Sequence, residues 1–149
     1  MKSSDEKKRV RISRKGRFSA AHRYHNRAWT PDKNREVFGA CNNPFGHGHN
    51  YEVEVTVEGE VDPDTGMVMN LREIDAILNA EVISRLDHRH LNEELPEWRD
   101  KVPTTENLAA SIWERLEPRL ARPNARLQRI RVYESPDIYA DCFGDHAPE

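Results

Sequence analysis

The chain has 149 residues, with 23 Lys+Arg against 26 Asp+Glu and a formal net charge of −3. That length suits one domain with its own core, and the near-neutral balance argues against general nucleic-acid affinity. No apolar run of ~18 residues exists, which excludes a membrane-spanning helix, and the charged start MKSSDEKKRV gives no reason to expect a secretory signal.

Residues 1–8 are polar and are expected as a disordered tail ahead of a single domain over 9–141, with a second tail at 142–149. Arg9 to Ala20 (RVRISRKGRFSA) reads as a strand with a break or bulge at Gly16. His22 to Asn43 mixes His, Asn, Pro, Asp and Gly and reads as a long irregular loop, a length that usually signals function or disorder. The clearest strand is Asn50 to Glu60, where Tyr51, Val53, Val55 and Val57 share one face and Glu52, Glu54, Thr56 and Glu58 the other. Asp62 to Gly66 is a turn, and Met67 to Asn70 is expected to return as a hairpin partner. Leu71 to Leu86 has apolar residues at three- and four-residue steps and reads as an amphipathic helix. A second helix starts at Thr104 or Thr105, with Glu106 in its first turn, and stops by Pro123. Leu127 to Glu134 is a strand, followed past Ser135-Pro136-Asp137 by a short extended piece, Ile138 to Ala140. The order predicts an α+β fold, an antiparallel sheet with helices on one face.

His47 and His49 lead into the clearest strand and share the parity of Tyr51 and Val53. Two imidazoles so placed can reach one cation, and His22, at the end of the first strand, is a candidate third ligand. Three neutral histidines with an open fourth position form a catalytic zinc arrangement; an isolated His-x-His is common and more often binds no metal. Cys41 is either a small buried hydrophobe or a thiol activated beside a cation; Cys142 keeps the first reading. With two cysteines in all, a disulfide framework is excluded and reduced thiols in a cytoplasmic protein are expected. Asp87-His88 is a candidate proton relay, and Glu134 is a strand-end carboxylate able to hold a heterocycle. His25, His90 and His146 receive no task.

Taken jointly, six segments resemble the 6-pyruvoyl-tetrahydropterin synthase family: Phe18-Ser19-Ala20-Ala21-His22, CNNPFGHGHNY (Cys41 to Tyr51), DPDTGMVMNL (Asp62 to Leu71), LDH (Leu86 to His88), PTTENLA (Pro103 to Ala109) and VYES (Val132 to Ser135). The resemblance implies a tunnelling fold (T-fold): a four-stranded antiparallel sheet with two helices on one face, three subunits closing into a barrel and two trimers stacking into a homohexamer. It implies zinc on His22, His47 and His49, and Cys41 as the proton-abstracting base with Asp87 and His88 supplied by an adjacent subunit. Glu134 would anchor the pterin with Thr104, Thr105 and Glu106. The substrate implied is 7,8-dihydroneopterin triphosphate, and the reaction a lyase elimination of triphosphate in tetrahydrobiopterin-type biosynthesis. The basic residues Arg9, Arg11, Lys15, Arg17 and Arg23 are candidates to meet that anion. Phe45 and His90 depart from the family pattern without removing a ligand. Rival readings are 6-carboxy-tetrahydropterin synthase of a queuosine-type deazapurine pathway, a zinc hydrolase, and a non-catalytic zinc or pterin-binding module. Neither nucleic acid nor membrane is expected as a partner.

Overall fold

Alternation of β-branched and charged residues becomes β2, His47–Glu60, the centre of the molecule in the computed structural model, which describes residues 8–145. The tail expected at 1–8 lies outside these residues except for Lys8, and of the tail expected at 142–149 only 142–145 are described; His146 lies outside them. β2 pairs antiparallel on one side with β1, Arg9–His22, and on the other with β4, Ala125–Ser135. β5, Ile138–Cys142, adds to β4, and the two-residue β3, Arg89–His90, pairs parallel with the end of β1. The sheet order is β3-β1-β2-β4-β5. The sheet therefore has five strands where four were expected, because β3 is too short to leave a mark in the sequence.

The helices lie on the face shared by Tyr51, Val53, Val55 and Val57, all of them buried. α2, Leu71–Leu78, continues through a π-helical turn, Asn79–Ile83, into α3, Ser84–Leu86. Its stripe of Ile74, Leu78, Val82 and Leu86 is buried, as is the Leu108, Ala109, Ile112 and Leu116 face of α5, Thr105–Leu116. Each such aliphatic residue contributes about 1.5–3 kcal/mol relative to staying in water. Asn70 caps α2 by accepting from the Arg72 amide at 2.9 Å, and Thr104 caps α5 by accepting from Asn107 N at 3.1 Å. Gly16 makes no bulge. It sits in unbroken register opposite Val53, and a Cβ there would meet Leu78 Cδ2 at 3.0 Å and Ile83 Cδ1 at 3.1 Å. The missing side chain is what lets the helix settle on the strand.

Two further expectations are corrected. Met67 to Asn70 is not a strand: the Asp62 amide donates to Met67 O at 2.9 Å, closing the loop on itself, and Val68 and Met69 are buried as the chain enters α2. The segment read as irregular holds α1, Pro31–Phe38, capped by Thr30, and a 3₁₀ turn, Gly39–Asn42. After β3 come a single helical turn, α4, Leu91–Glu94, and a 3₁₀ turn, Pro96–Trp98.

The opposite face of the sheet carries no helix and is a ladder of ions. Arg11 and Arg126 meet Glu58, Lys15 and Arg129 meet Glu54, Arg17 meets Glu52, and Arg131 grips Asp141 at 2.7 and 2.9 Å. Glu58 is only 7% exposed, so this face is covered mainly by its own cross-strand pairs. Part of the 33% charged composition is spent here.

Candidate metal centre

Register brings the three histidines together. His22 stands directly across from His47 on the last rung of β1–β2, and His49 is one same-face step further in, across from Ala20. All three share the helix-side parity of Phe18 and Tyr51, whose rings stack at 4.9 Å. His22 Nε2 lies 3.1 Å from His47 Nε2, and one atom from each of His22, His47, His49 and Glu134 falls within 4.8 Å of all the others. A tetrahedral ion with bonds of about 2.0–2.1 Å spaces its ligand atoms by about 3.3 Å, so these separations suit one.

The polar bookkeeping agrees. His49 Nε2 is buried with no hydrogen-bond partner. Glu134 Oε1 is 2.8 Å away but lacks hydrogen-bond alignment, so the ring nitrogen is left aimed at the shared point. The buried His22 uses its other nitrogen, Nδ1, on Tyr51 Oη at 2.8 Å. A ligand imidazole held this way donates Nδ1–H to the phenol and presents a bare Nε2. Burial, then the neighbouring His47, His49 and His90, push the His22 pKa down to about 3. His49 is also lowered, by burial first, against the opposing pull of Glu134. Neutral imidazoles are the form that binds metal. The donor set fits an ion such as zinc.

The low His22 pKa has a consequence for the metal-stripped protein. An unfolded chain binds a proton at His22 near pH 6.5 while the folded chain refuses it until about pH 3. The stability due to this group is complete above pH 6.5 and falls as pH drops through that window, by about 1.4 kcal/mol per unit at most. Denaturant unfolding between pH 4 and 7 should give a shallower slope for His22→Asn than for the parent.

Glu134, on the same side of β4 as Ile130 and Val132, also accepts from Thr105 Oγ1 at 2.7 Å through its second oxygen. Thr105 is buried at the start of α5, Thr104 is spent as its cap, and Glu106 is exposed in the first turn. Tyr24, its pKa raised by burial and by Glu134, lies between these groups and Cys41. Cys41 sits in the 3₁₀ turn, half-buried, its carbonyl accepting from Tyr24 N at 2.9 Å. Its sulfur is outside the donor group. Gly46 has φ +73°, and a Cβ there would come within 2.8 Å of His90 Nε2 and 2.9 Å of His22 O, so only glycine lets the loop from Cys41 turn into His47.

Asp87 and His88 do not join this cluster. Asp87 accepts from Ser19 N at 2.9 Å, which holds its pKa low, and from His88 Nδ1 at 3.0 Å. Asp87 borders a cavity of about 690 Å³ walled by Lys15, Arg17, Ser19, Asn50 and Tyr133, on the face away from the helices. His88, with φ 61° and 82% of its side chain exposed, projects beside Gly48 and Asn50. His88 shares a cavity of about 500 Å³ with His49 at the β3 edge of the sheet, yet neither member of the dyad is among the residues whose donor atoms gather. Tyr51 and Tyr24 were not singled out from the sequence; parity with His49 was the available sign for the first.

A sequence model described as 6-pyruvoyl tetrahydropterin synthase matches residues 11–145. The chain belongs to this family. The human 6-pyruvoyl tetrahydrobiopterin synthase is 44% identical over 126 residues, 85% of this chain and 86% of that protein. A putative 6-carboxy-5,6,7,8-tetrahydropterin synthase of Archaeoglobus fulgidus is 37% identical over 95 residues, 64% of this chain and 73% of that one. The structure of Caenorhabditis elegans 6-pyruvoyl tetrahydropterin synthase superimposes with a TM-score of 0.88 at 35% identity, covering 93% of this chain and 98% of that one. The T-fold expected for the family is the fold observed, with the fifth strand added at its edge.

Proposed function

We propose that the chain is a zinc-dependent 6-pyruvoyl-tetrahydropterin synthase, converting 7,8-dihydroneopterin triphosphate to 6-pyruvoyl-tetrahydropterin and triphosphate in tetrahydrobiopterin-type biosynthesis, in the cytoplasm. The observation that carries the reading is the convergence of His22, His47 and His49 on one point within a chain of this family. Zinc held there supplies Lewis acidity that makes protons beside a bound side-chain hydroxyl easier to remove.

The chain's own groups divide the remaining work. Cys41, in the turn bonded to Tyr24 and outside the donor cluster, takes a proton as the base. Glu134, steadied by Thr105, accepts the N–H edge of the pterin, with Thr104 and Glu106 at the same end of α5. Asp87 fixes the His88 tautomer so that the exposed imidazole passes protons.

Since that dyad is not part of its own chain's donor cluster, it serves a neighbouring copy. Residues 9–18 of β1 have no strand partner on their outer side among the described residues, and β5 ends the sheet at the other edge. Joining those two edges between copies supports trimeric barrels, and a homohexamer as a dimer of trimers.

Two observations favour pyruvoyl over carboxy product. The Asn42-Asn43-Pro44-Phe45-Gly46 spacer between Cys41 and His47 has the length of the pyruvoyl-forming type, and the 6-pyruvoyl relative covers more of the chain at higher identity. The hydrolase reading gains a carboxylate beside the donors in Glu134 but leaves Cys41 idle. One incubation decides among them: purified protein with 7,8-dihydroneopterin triphosphate, with and without chelator, products identified by mass. Pyruvoyl product with released triphosphate, lost on chelation, is expected. Carboxy product with acetaldehyde, simple dephosphorylation, or no zinc-dependent consumption each overturns the reading.

A further inference from the structure

Two distant stretches of the chain, one of them following directly on the donor His22, build a basic cavity. It encloses about 400 Å³ and is lined by Arg23, His25, Arg27, Asn92, Glu93 and Arg99. Three guanidiniums face one carboxylate, so the cavity is net positive; His25 is held below its ordinary pKa by burial and by Arg23 and Arg27.

What distinguishes these arginines is how little they are used. On the helix-free face Arg11, Arg17, Arg126, Arg129 and Arg131 are each matched to a carboxylate across strands. In the cavity, Arg23 gives Nε to Asn42 O at 3.0 Å, which orients the side chain and leaves its terminal amino groups uncommitted. Asn92 locks the same residue by its backbone, accepting from Arg23 N at 2.8 Å and donating to Arg23 O at 2.9 Å. Arg27 meets only Asp100, in a pair where both partners are open to solvent and screened. The Arg99 guanidinium has no hydrogen bond or ion pair among the described residues, although Glu93 lines the same cavity. Positive groups held in place with so little internal neutralisation suit a multiply charged anion.

Covalent continuity ties the cavity to the reacting groups. Arg23 follows the donor His22, and Asn42, adjacent to Cys41, donates through Nδ2 to Tyr24 O at 2.7 Å and contacts His25 Nδ1 at 2.9 Å. Arg23 and Asn42 thus each stand one residue from a group assigned to the reaction, His22 and Cys41.

We propose that the cavity is an oligophosphate subsite, in which Arg23, Arg27 and Arg99 hold the triphosphate tail of the substrate and His25 adds a hydrogen-bonding group. The identity of the tail rests on the synthase reading above; the anion chemistry does not. Of the basic residues marked in the sequence, Arg9, Arg11, Lys15 and Arg17 belong to the paired ladder, and only Arg23 belongs here.

The test is a calorimetric titration of the full-length protein with inorganic tripolyphosphate and with orthophosphate. Parent, Arg99→Gln, Arg27→Gln/Arg99→Gln and Lys15→Gln/Arg17→Gln are compared at equal metal content, so that any chelation heat is common to all. Losing one charge-assisted contact should weaken tripolyphosphate by about tenfold, and losing two by about a hundredfold. The Lys15/Arg17 variant should match the parent, and orthophosphate should bind the parent at least about tenfold more weakly because it spans fewer guanidiniums. Affinity for 7,8-dihydroneopterin, which has no phosphate, should be unchanged in every variant. Equal tripolyphosphate affinity in Arg27→Gln/Arg99→Gln and parent, or a loss confined to the Lys15/Arg17 variant, overturns the subsite. Turnover with an unchanged KM in Arg27→Gln/Arg99→Gln overturns the subsite while leaving the synthase standing. Arginine-dependent tripolyphosphate binding in a chain that never consumes the substrate keeps the subsite and overturns the synthase.

Discussion

Replacing Cys41 with alanine is expected to lower turnover of 7,8-dihydroneopterin triphosphate by about 10²–10⁴-fold, the range a positioned acid–base group supplies, while the protein keeps about one zinc per chain. The structural case is that Cys41 lies in the turn bonded to Tyr24, whose ring is 4.8 Å from that of His22, and that its sulfur takes no part in the donor cluster. The four donor residues are His22, His47, His49 and Glu134, and the sulfur is not among them. Nor does the turn depend on the side chain: Cys41 O is bonded to Tyr24 N, and the buried neighbour Asn42 stitches the turn to Tyr24 O and His25. Alanine therefore leaves the loop in place and removes only the thiol. Zinc analysis alongside single-turnover kinetics checks it. A variant that loses its metal would put sulfur into the coordination sphere, and one that turns over like the parent would return Cys41 to an inert filler.

Glu134→Ala should retain metal as well, yet lose about a hundredfold or more in kcat/KM, chiefly through KM. One carboxylate oxygen is engaged by Thr105 and the other faces the His49 nitrogen. A bound heterocycle would offer N–H groups to both, and contacts of that charge-assisted kind are worth about 1.5–3 kcal/mol each. The variant also strands the buried Thr105 hydroxyl, so a modest stability loss of about 1–3 kcal/mol accompanies it. Glu134→Gln separates the two effects: it keeps a partner for Thr105, restores stability, and still fails to bind the pterin edge. Zinc loss in either variant would instead make the carboxylate a fourth ligand and close the open position.

Much of this centre was legible in the sequence because it depends on strand parity. His47, His49, Tyr51 and Val53 share a face in any unbroken strand, and the strand does begin at His47. The same rule places Glu134 with Val132. What parity cannot show is register between strands, so the pairing of His22 with His47 appears only in the folded sheet. α1 was missed although Thr30-Pro31-Asp32 is a helix start; the eight residues have no apolar stripe, and only Asn34 is buried. Met67 to Asn70 misled in the opposite sense, since Val68 and Met69 are apolar for the core beneath α2 and not for a ladder. β3 and the arginine cavity depend on residues some seventy positions apart, such as Arg23 and Asn92, and local patterns carry no trace of them.

The last rung of β1–β2 has one further consequence. His22 and His47 close that rung, and each continues straight into a loop: one toward Tyr24 and α1, the other back to Cys41 through Gly46. An ion shared by the pair acts as a rivet at the frayed end of a two-strand ribbon, pinning both loops at once. Starving the protein of metal would then slacken the thiol's mooring together with the electrophile, so inactivation during zinc depletion should be all-or-none per site, with no partly competent species between.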